Sequence, residues 1–174
     1  FRRSRGLGDV YKRQDIHHLS LTSNSVRQLN VVQNYSYYKG KNESLYSIFD
    51  ECGFIGGQRL LKERLLYPSI SSEVLESRYN KVEACMENDF YNELNQNISK
   101  LTDTERSLRK MGLGLLSTEG FLNTKLSYDF MIRIIDTLHQ NPKLEALYED
   151  YSDDLDKFKQ FYEYIHQRFQ FKNF

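Results

Sequence analysis

Residues 53–70 read GFIGGQRLLKERLLYPSI, and this stretch indicates how the chain folds. Three glycines, Gly53, Gly56 and Gly57, stand within its first five residues. A run without Gly or Pro follows, and its leucines at 60, 61, 65 and 66 form one apolar face at helical spacing. Proline cannot continue a helix because it has no backbone N–H. The stretch therefore predicts an amphipathic helix that starts near the glycines and ends before Pro68.

The glycines could instead form a phosphate-binding loop, but the sequence argues against that interpretation. Such a loop needs G-x-x-x-x-G-K-[ST], because backbone amides cradle the phosphates while Lys and Ser/Thr serve the phosphates and magnesium. The Lys and Ser/Thr are missing after Gly57. A second candidate, Gly40-Lys41, has Tyr35 in place of the first glycine and is followed by Asn42. The lone G-x-G at residues 112–114 lies in a helical context and predicts a bend.

Composition excludes several other kinds of site. Cys52 and Cys85 stand alone, which fits a reducing cytoplasm or nucleus and two small core residues. His17 and His18 have no neighbouring thiol or carboxylate cluster, so we expect solvated histidines rather than metal ligands. No apolar run approaches the ~20 residues of a membrane span, so no membrane partner is expected. No catalytic residue is predicted.

The first fourteen residues, FRRSRGLGDVYKRQ, differ from the rest of the chain. A basic arm for nucleic acid is one interpretation. However, residues 4–14 match codon by codon the in-frame translation of a transposase adapter used in sequencing libraries. We therefore interpret residues 1–14 as an adapter-derived artefact, expected to be disordered. Without it, 19 bases and 23 acids remain, a formal charge of −4, which argues against a strong phosphate-binding groove.

Most of the remaining chain has helical periodicity. A short helix through Val26 and Leu29 is expected to lead into a short strand near the N-terminus. Thr102 and Glu105 have the spacing of a capping box, and Pro142 is expected at the first position of a new helix capped by Asn141. Apolar faces are predicted at 45, 48 and 49, at 74, 75, 79, 82 and 86, at 90, 94, 98 and 101, and at 122, 126, 130, 134 and 138. We expect a mainly α fold, an elongated multi-helix bundle.

The last segment has the most regular pattern. Tyr151, Leu155, Phe158, Tyr162, Ile165 and Phe169 are separated by alternating steps of four and three residues, which is a heptad seam. One interpretation is a long helix packed within its own bundle. The alternative is a helical protein-interaction module that binds a partner helix through the 151–169 face.

The stretch from residue 44 onward resembles the core, or lever, domain (domain III) of the MutS family of DNA mismatch-repair ATPases. The family pattern, S-L-hydrophobic-x-x-hydrophobic-D, then G-x-R and two hydrophobic residues, then hydrophobic-x-x-P, is matched by Ser44, Leu45, Asp50, Gly57, Arg59, Leu60, Leu61, Leu65 and Pro68. An R-x-x-x-V-E element is matched by Arg78, Val82 and Glu83, and a D-x-E-R element by Asp103, Glu105 and Arg106. The resemblance covers about residues 16–138.

The sequence departs from the family pattern at several positions. Phe54 replaces the usual Thr, Gly56 a Met or Pro, Arg64 a Trp, Ser69 a Leu, and Asn30 an acidic residue. These departures indicate a divergent branch, such as the type carried by large DNA viruses or by organelles.

The resemblance implies a function for residues 15–174, which we expect to be a core domain truncated at both ends. Such a domain links the ATPase to the DNA clamp and the mismatch-binding region. It implies a parent protein that binds ATP and Mg and mismatched duplex DNA through other domains, and that is dimeric. The fragment itself is expected not to be an enzyme and to hold no cofactor. Its motif residues are then structural: Gly57 would permit close backbone approach, and Arg59 and Arg78 are candidates to pair with Asp50, Glu83, Asp103 or Glu105.

Overall fold

The computed structural model describes residues 18–32 and 44–169. The adapter-like segment, His17 and the Gly40-Lys41 motif lie outside the described residues.

The described chain is helical nearly throughout, which confirms the mainly α prediction. Its α-helices are α1 (Ser23–Gln28), α2 (Leu45–Phe49), α3 (Ile55–Leu66), α4 (Ser72–Met86), α5 (Phe90–Ile98), α6 (Thr104–Gly112), α7 (Thr118–Gln140), α8 (Glu145–Tyr148) and α9 (Ser152–Arg168). Short 3₁₀ turns occupy Glu87–Asp89, Pro142–Leu144 and Glu149–Tyr151. Among the described helices, none is both long and apolar enough to cross a membrane.

The chain divides into two compact units. The first comprises the described residues up to Asp50 together with Leu61–Leu75, and the second comprises Glu51–Leu60 and Glu76 onward. Of the three boundaries, one therefore falls between α2 and α3, one inside α3 and one inside α4.

In the first unit, the predicted β element is reduced to one isolated antiparallel bridge between His18 and Ser69. Beside it, the backbone N–H of Leu19 donates to the carbonyl of Pro68 at 2.8 Å. The strand expected directly after α1 does not form within the described residues up to 32. The chain turns there instead, because Asn30 adopts a left-handed conformation with φ of 47°.

Asn30 closes α1 and leads the chain toward α2. The N–H of Asn30 donates to the carbonyl of Arg27, and the N–H of Val31 donates to that of Val26, which is a Schellman motif. The carbonyls of Asn30 and Val31 then accept the N–H groups of Leu45 and Tyr46, both at 2.9 Å. The end of α1 is thereby joined to the start of α2.

The core of the second unit lies between α5, α7 and the turn before α8. Phe90, Leu94 and Leu144 are its buried centre. The partly buried side chains packed against them are Ala84, Cys85, Ile98, Ile134, Leu138 and Leu147. Cys85 is thus a core residue, as expected, and burial raises the pKa of its thiol.

For α6, the prediction from the sequence was wrong at the N-terminal end and correct at the C-terminal end. The predicted capping box is wrong: Asp103 is the N-cap, and its carboxylate accepts the N–H of Arg106 at 3.1 Å. Thr102 instead bonds Ser127 on α7. The predicted bend at residues 112–114 is confirmed, because Gly114 has φ of 68° and closes a second Schellman motif.

The buried face of α7 differs from the predicted one. Its buried residues are Thr124, Ser127, Tyr128 and Ile135, whereas Leu126 from the predicted stripe is exposed. The predicted stripe is correct at Ile134 and Leu138, which pack against the core, and wrong at Leu126. The sequence pattern missed Thr124 and Ser127 because small hydroxyl side chains can be buried once they bond the preceding turn of their own helix.

The heptad seam of α9 packs within the chain. Phe158 contacts Tyr128 of α7 edge to face with ring centroids 5.5 Å apart, and Phe169 lies 5.2 Å from Phe121. Ile165 is buried. The first interpretation of the seam is therefore confirmed. The central part of the 151–169 face is already occupied, so a partner helix cannot use it without displacing α7.

Candidate functional site

The motif residues Arg59, Asp103 and Glu105 come together in the second unit, and we call this group the arginine junction. Arg59 projects from α3, while Asp103 and Glu105 stand at the start of α6. The guanidinium binds Asp103 through two parallel hydrogen bonds, one of them Nη1 to Oδ1 at 3.1 Å and the other Nη2 to Oδ2. Nη1 also donates to Oε2 of Glu105 at 2.7 Å. One arginine thus binds both acids of the D-x-E-R motif.

Local structure explains why the acids of the junction lie where they do. As N-cap of α6, Asp103 accepts the N–H of Arg106 with Oδ1, which also accepts from Arg59. Glu105 lies in the first turn of α6, where a negative charge interacts favourably with the helix dipole. The same carboxylates therefore begin α6 and hold α3.

The junction shifts the pKa values of its members in opposite directions. The hydrogen bond from Arg59 is the main reason that the pKa of Asp103 falls below its usual range. The hydrogen bond to Asp103 is likewise the main reason that the pKa of Arg59 rises. Because Arg59 and Glu105 are well exposed, solvent screens the attraction. The junction consequently contributes more to the geometry of α3 and α6 than to overall stability.

Gly57 does not have the role that the sequence predicted. It lies in the first turn of α3, and a Cβ added there would lie 3.5 Å from the Sγ of Cys52, an ordinary van der Waals distance. Among the three glycines of this stretch, Gly53 is the one that approaches another helix closely, since an added Cβ would lie 3.1 Å from the Cβ of Ser99. The prediction selected the wrong glycine because the sequence does not show which glycine lies against α5 and its C-cap, Ser99.

Arg78 and Glu83, the other charged pair of the motifs, lie on α4 away from the junction. Within the described residues Arg78 forms no ion pair with any of the acids proposed for it, although its side chain is half-buried. Glu83 is exposed.

The remaining motif residues have local roles. Leu45 is the first residue of α2, Asp50 ends that helix, and the carbonyl of Pro68 accepts the N–H of Leu19. Leu60 is exposed on α3. The side chain of Arg106 is exposed at the start of α6.

Sequence reasoning missed a pair of hydroxyl groups, Thr102 and the buried Ser127, that joins the start of α6 to α7. The Oγ of Ser127, fully buried, accepts the N–H of Thr102 at 3.0 Å and lies 2.7 Å from the Oγ1 of Thr102. It also donates to the carbonyl of Asn123. A small polar residue in the middle of an apolar helix was the only sequence signal.

Sequence reasoning also missed a polar cluster centred on Asp129 of α7, which we call the aspartate hub. Its Oδ1 accepts the hydroxyl of Tyr162 at 2.7 Å, and its Oδ2 bonds Lys125 one turn earlier at 2.5 Å. The Nε2 of His166 lies 3.7 Å from Oδ1. The hub therefore joins α9 to α7.

Burial and hydrogen bonding shift the pKa values in the hub. Burial opposes ionisation of Asp129, but the hydrogen bonds from Lys125 and Tyr162 outweigh it and lower the pKa of this carboxyl. Burial and the bond to Asp129 raise the pKa of Tyr162 to about 12.

The junction and the hub are placed to position helices. In the described stretches, no three His, Cys, Asp or Glu side chains are placed to hold a metal ion. The carboxylates of the junction and the hub are engaged by cations and hydroxyls within the chain. Their geometry holds helices in fixed relation to one another.

Comparison with known proteins identifies the family. The family model of MutS domain III matches residues 24–171, most of the chain. This chain belongs to the MutS family. The junction thus joins two of the motifs by which the MutS resemblance was first visible.

Similar MutS proteins come from a virus and from bacteria. A mutS homolog of Acanthamoeba polyphaga mimivirus, described as a DNA mismatch repair protein, is 26% identical over 151 residues, which are 84% of this chain and 13% of the viral protein. The DNA mismatch repair protein MutS of Petrotoga mobilis is 29% identical over 149 residues, 85% of this chain and 17% of that protein. That of Leptospira interrogans is 43% identical over 63 residues, 36% and 7% of the two chains. The chain spans less than a fifth of the length of each of these relatives.

Proposed function

We propose that this chain is the lever part of a MutS mismatch-repair ATPase, linking the ATPase to the DNA clamp and the mismatch-binding region. The observation that carries the proposal is α7, which runs for 23 residues and is about 34 Å long at 1.5 Å per residue. Its only glycine is in the first turn, and it has no proline. A continuous helix of this kind transmits a displacement at one end to the other.

Polar and aromatic contacts along α7 support a role in transmission. Ser127 bonds Thr102 beside α6, and two residues later Asp129 bonds Tyr162 of α9. The rings of Tyr128 and Phe158 pack between these bonds. A helix fixed to its neighbours in this way moves together with them.

The chemistry of the complete protein is assigned to parts outside this chain. We propose that ATP and Mg bind in another domain, that mismatched duplex DNA is held by other domains, and that the complete protein is dimeric. The chain alone is then not an ATPase, and the mimivirus relative makes a virus-encoded parent our favoured origin.

The experiment measures ATP hydrolysis by the complete protein with mismatched and with fully paired duplex. Arg133→Pro interrupts the middle of α7, because proline removes one helical hydrogen bond and kinks the helix. Arg133→Ala is the matched control at this exposed position. We expect Arg133→Pro to keep ATP hydrolysis without DNA while losing the response to the mismatch, and Arg133→Ala to keep both. A full mismatch response in Arg133→Pro would overturn the proposal.

A further inference from the structure

One face of α6 carries three bases. Arg106, Arg109 and Lys110 have the spacing i, i+3 and i+4, so they lie on one side of the helix, within about 6 Å along its axis. All three side chains are exposed. We call these three residues the α6 basic face, and they form a small, concentrated positive surface.

The described part of the chain does not neutralise the α6 basic face. None of its three members forms an ion pair there. Asp103 attracts the charge of Arg106, but its carboxylate is bound by Arg59. Glu105, one turn before Arg109, is bound by Arg59 as well. The bases can therefore bind an anion from elsewhere.

The helix dipole explains only two of the three bases. Arg109 and Lys110 are in the last turn of α6, where a positive charge interacts favourably with the dipole. Arg106 is the third residue of the helix, close to the end where the dipole favours negative charge. A base at this position needs a reason other than the stability of the helix.

The charge near α6 also differs from that of the remaining chain. Residues 106–118 hold three bases and no acid, whereas residues 15–105 and 119–174 together hold 16 bases and 23 acids. Three bases do not make the strong phosphate-binding groove that the net charge argues against. They are enough to contact a few phosphates, because each contact releases counterions independently of any groove.

We propose that the α6 basic face contacts the phosphate backbone of duplex DNA without reading its sequence. A duplex carries one negative charge per about 1.7 Å of its axis, which three cations within one turn of a helix match well. The two arginines can each bind a phosphate through two hydrogen bonds. The mismatch itself remains with other domains. The inference rests on the proposed function in one respect, that a complete MutS protein carries this chain and binds duplex DNA.

The test measures the Kd of the complete protein for a mismatched and for a fully paired duplex between about 0.05 and 0.2 M salt. Glutamine keeps the helix propensity of the two bases at 109 and 110 and removes their charge. For the double variant Arg109→Gln/Lys110→Gln, we expect the slope of log affinity against log salt to become shallower by about 1.8. Both duplexes should bind at least about tenfold more weakly at 0.1 M salt.

Two controls separate phosphate contact from other effects. Arg109→Lys keeps the charge and is expected to keep the slope. Lys157→Gln removes an exposed base of α9 whose Nζ lies 3.2 Å from Asp154, and it is expected to change neither slope nor Kd. An unchanged slope in the double variant, an equal change in Lys157→Gln, or a loss confined to the mismatched duplex would each overturn the inference.

The inference and the proposed function can fail separately. If the double variant has the shallower slope while Arg133→Pro keeps its mismatch response, the proposed function fails and this inference stands. If the slope is unchanged while Arg133→Pro loses its mismatch response, the reverse holds, as it would if the α6 basic face bound an acidic protein instead of DNA.

Discussion

At the scale of single residues, two departures from the MutS pattern explain each other. A Cβ on Gly56 would collide with the ring of Phe54, which folds back over the first turn of α3. With the ring of Phe54 in this position, any side chain at 56 would force the ring to move, so glycine at 56 suits phenylalanine at 54. Asn30 has a similar explanation, because asparagine adopts the left-handed conformation that this position needs more readily than most residues.

Gly57 is expected to tolerate a side chain that other glycines do not. Gly57→Ala should stabilise the chain by roughly 0.5–1 kcal/mol, since alanine is the better helix former and its Cβ has room beside Cys52. Gly114→Ala should destabilise it by about 1 kcal/mol, because φ at Gly114 is 68°. Urea denaturation followed by circular dichroism measures both. A loss of stability in Gly57→Ala would restore the close-approach role.

Asp103 should make stability depend on acid pH. Its folded pKa is lowered, so its contribution is complete above the unfolded pKa of about 4 and is lost as the pH falls through the folded value. Asp103→Asn keeps a good N-cap but removes the charge facing Arg59, so it should reduce the loss of stability below about pH 4.

Asp103→Ala removes the cap as well and should cost about 1 kcal/mol at pH 7. Stability of the three proteins measured from pH 2.5 to 7 separates the two effects. Identical pH profiles for the wild-type chain and Asp103→Asn would show that the charge of Asp103 does not contribute to the pH dependence of stability.

Sequence could not choose among the ion pairs of Arg59. Asp103 lies 44 residues away along the chain, and nothing in the spacing favoured it over Asp50 or Glu83. Only the approach of α3 to the start of α6 decides the pairing.

At the scale of elements, helices were predictable and their buried faces were less so. Pro68 and the leucines of α3 were sufficient to predict that helix, and Gly114 was sufficient to predict the end of α6. The buried face of α7, in contrast, uses Thr124 and Ser127, whose hydroxyls bond the preceding turn of their own helix. Apolar periodicity cannot detect a face whose members are polar residues satisfied by the backbone.

Ser127 should contribute more to the stability of the chain than its small side chain suggests. Ser127→Ala removes the acceptor for the N–H of Thr102 and should destabilise the chain by about 1 kcal/mol. Ser77, exposed on α4, is the matched control, and its replacement by alanine should change stability by less than about 0.5 kcal/mol. Thermal and urea unfolding measure both, and equal effects would mean that the buried bond contributes nothing.

The aspartate hub should couple α7 to α9. Tyr162→Phe removes a hydrogen bond to a carboxylate and should cost about 1 kcal/mol, and a double-mutant cycle with Asp129→Asn should give a favourable coupling energy. Because the folded pKa of Tyr162 is about 12 and the unfolded value about 10, its contribution is complete below pH 10 and is lost as the pH rises toward 12. Additive effects of the two substitutions would contradict the coupling.

At the scale of the whole molecule, ordered motifs identified the family that the domain III match then showed. No single motif was decisive, but their order and spacing were. The apolar face predicted on α4 is the exception to that success at the level of surfaces, because Tyr79, Val82 and Met86 are exposed in this chain.

A lever role for this chain requires that nucleotide and DNA affect each other's binding through α7. Linkage makes this reciprocal, so a nucleotide that changes DNA affinity by some factor has its own affinity changed by the same factor. Coupling between sites typically amounts to 5–150-fold. In a lever, the continuity of α7 is the source of that factor.

The most direct test is the Kd of the complete protein for a mismatched duplex, with and without a non-hydrolysable ATP analogue. For the wild type and for Arg133→Ala, we expect the analogue to change the Kd by at least about fivefold. For Arg133→Pro, the two Kd values should be equal while binding without nucleotide is retained. An unchanged ratio in Arg133→Pro would contradict the account, because the two sites would then communicate without an intact α7.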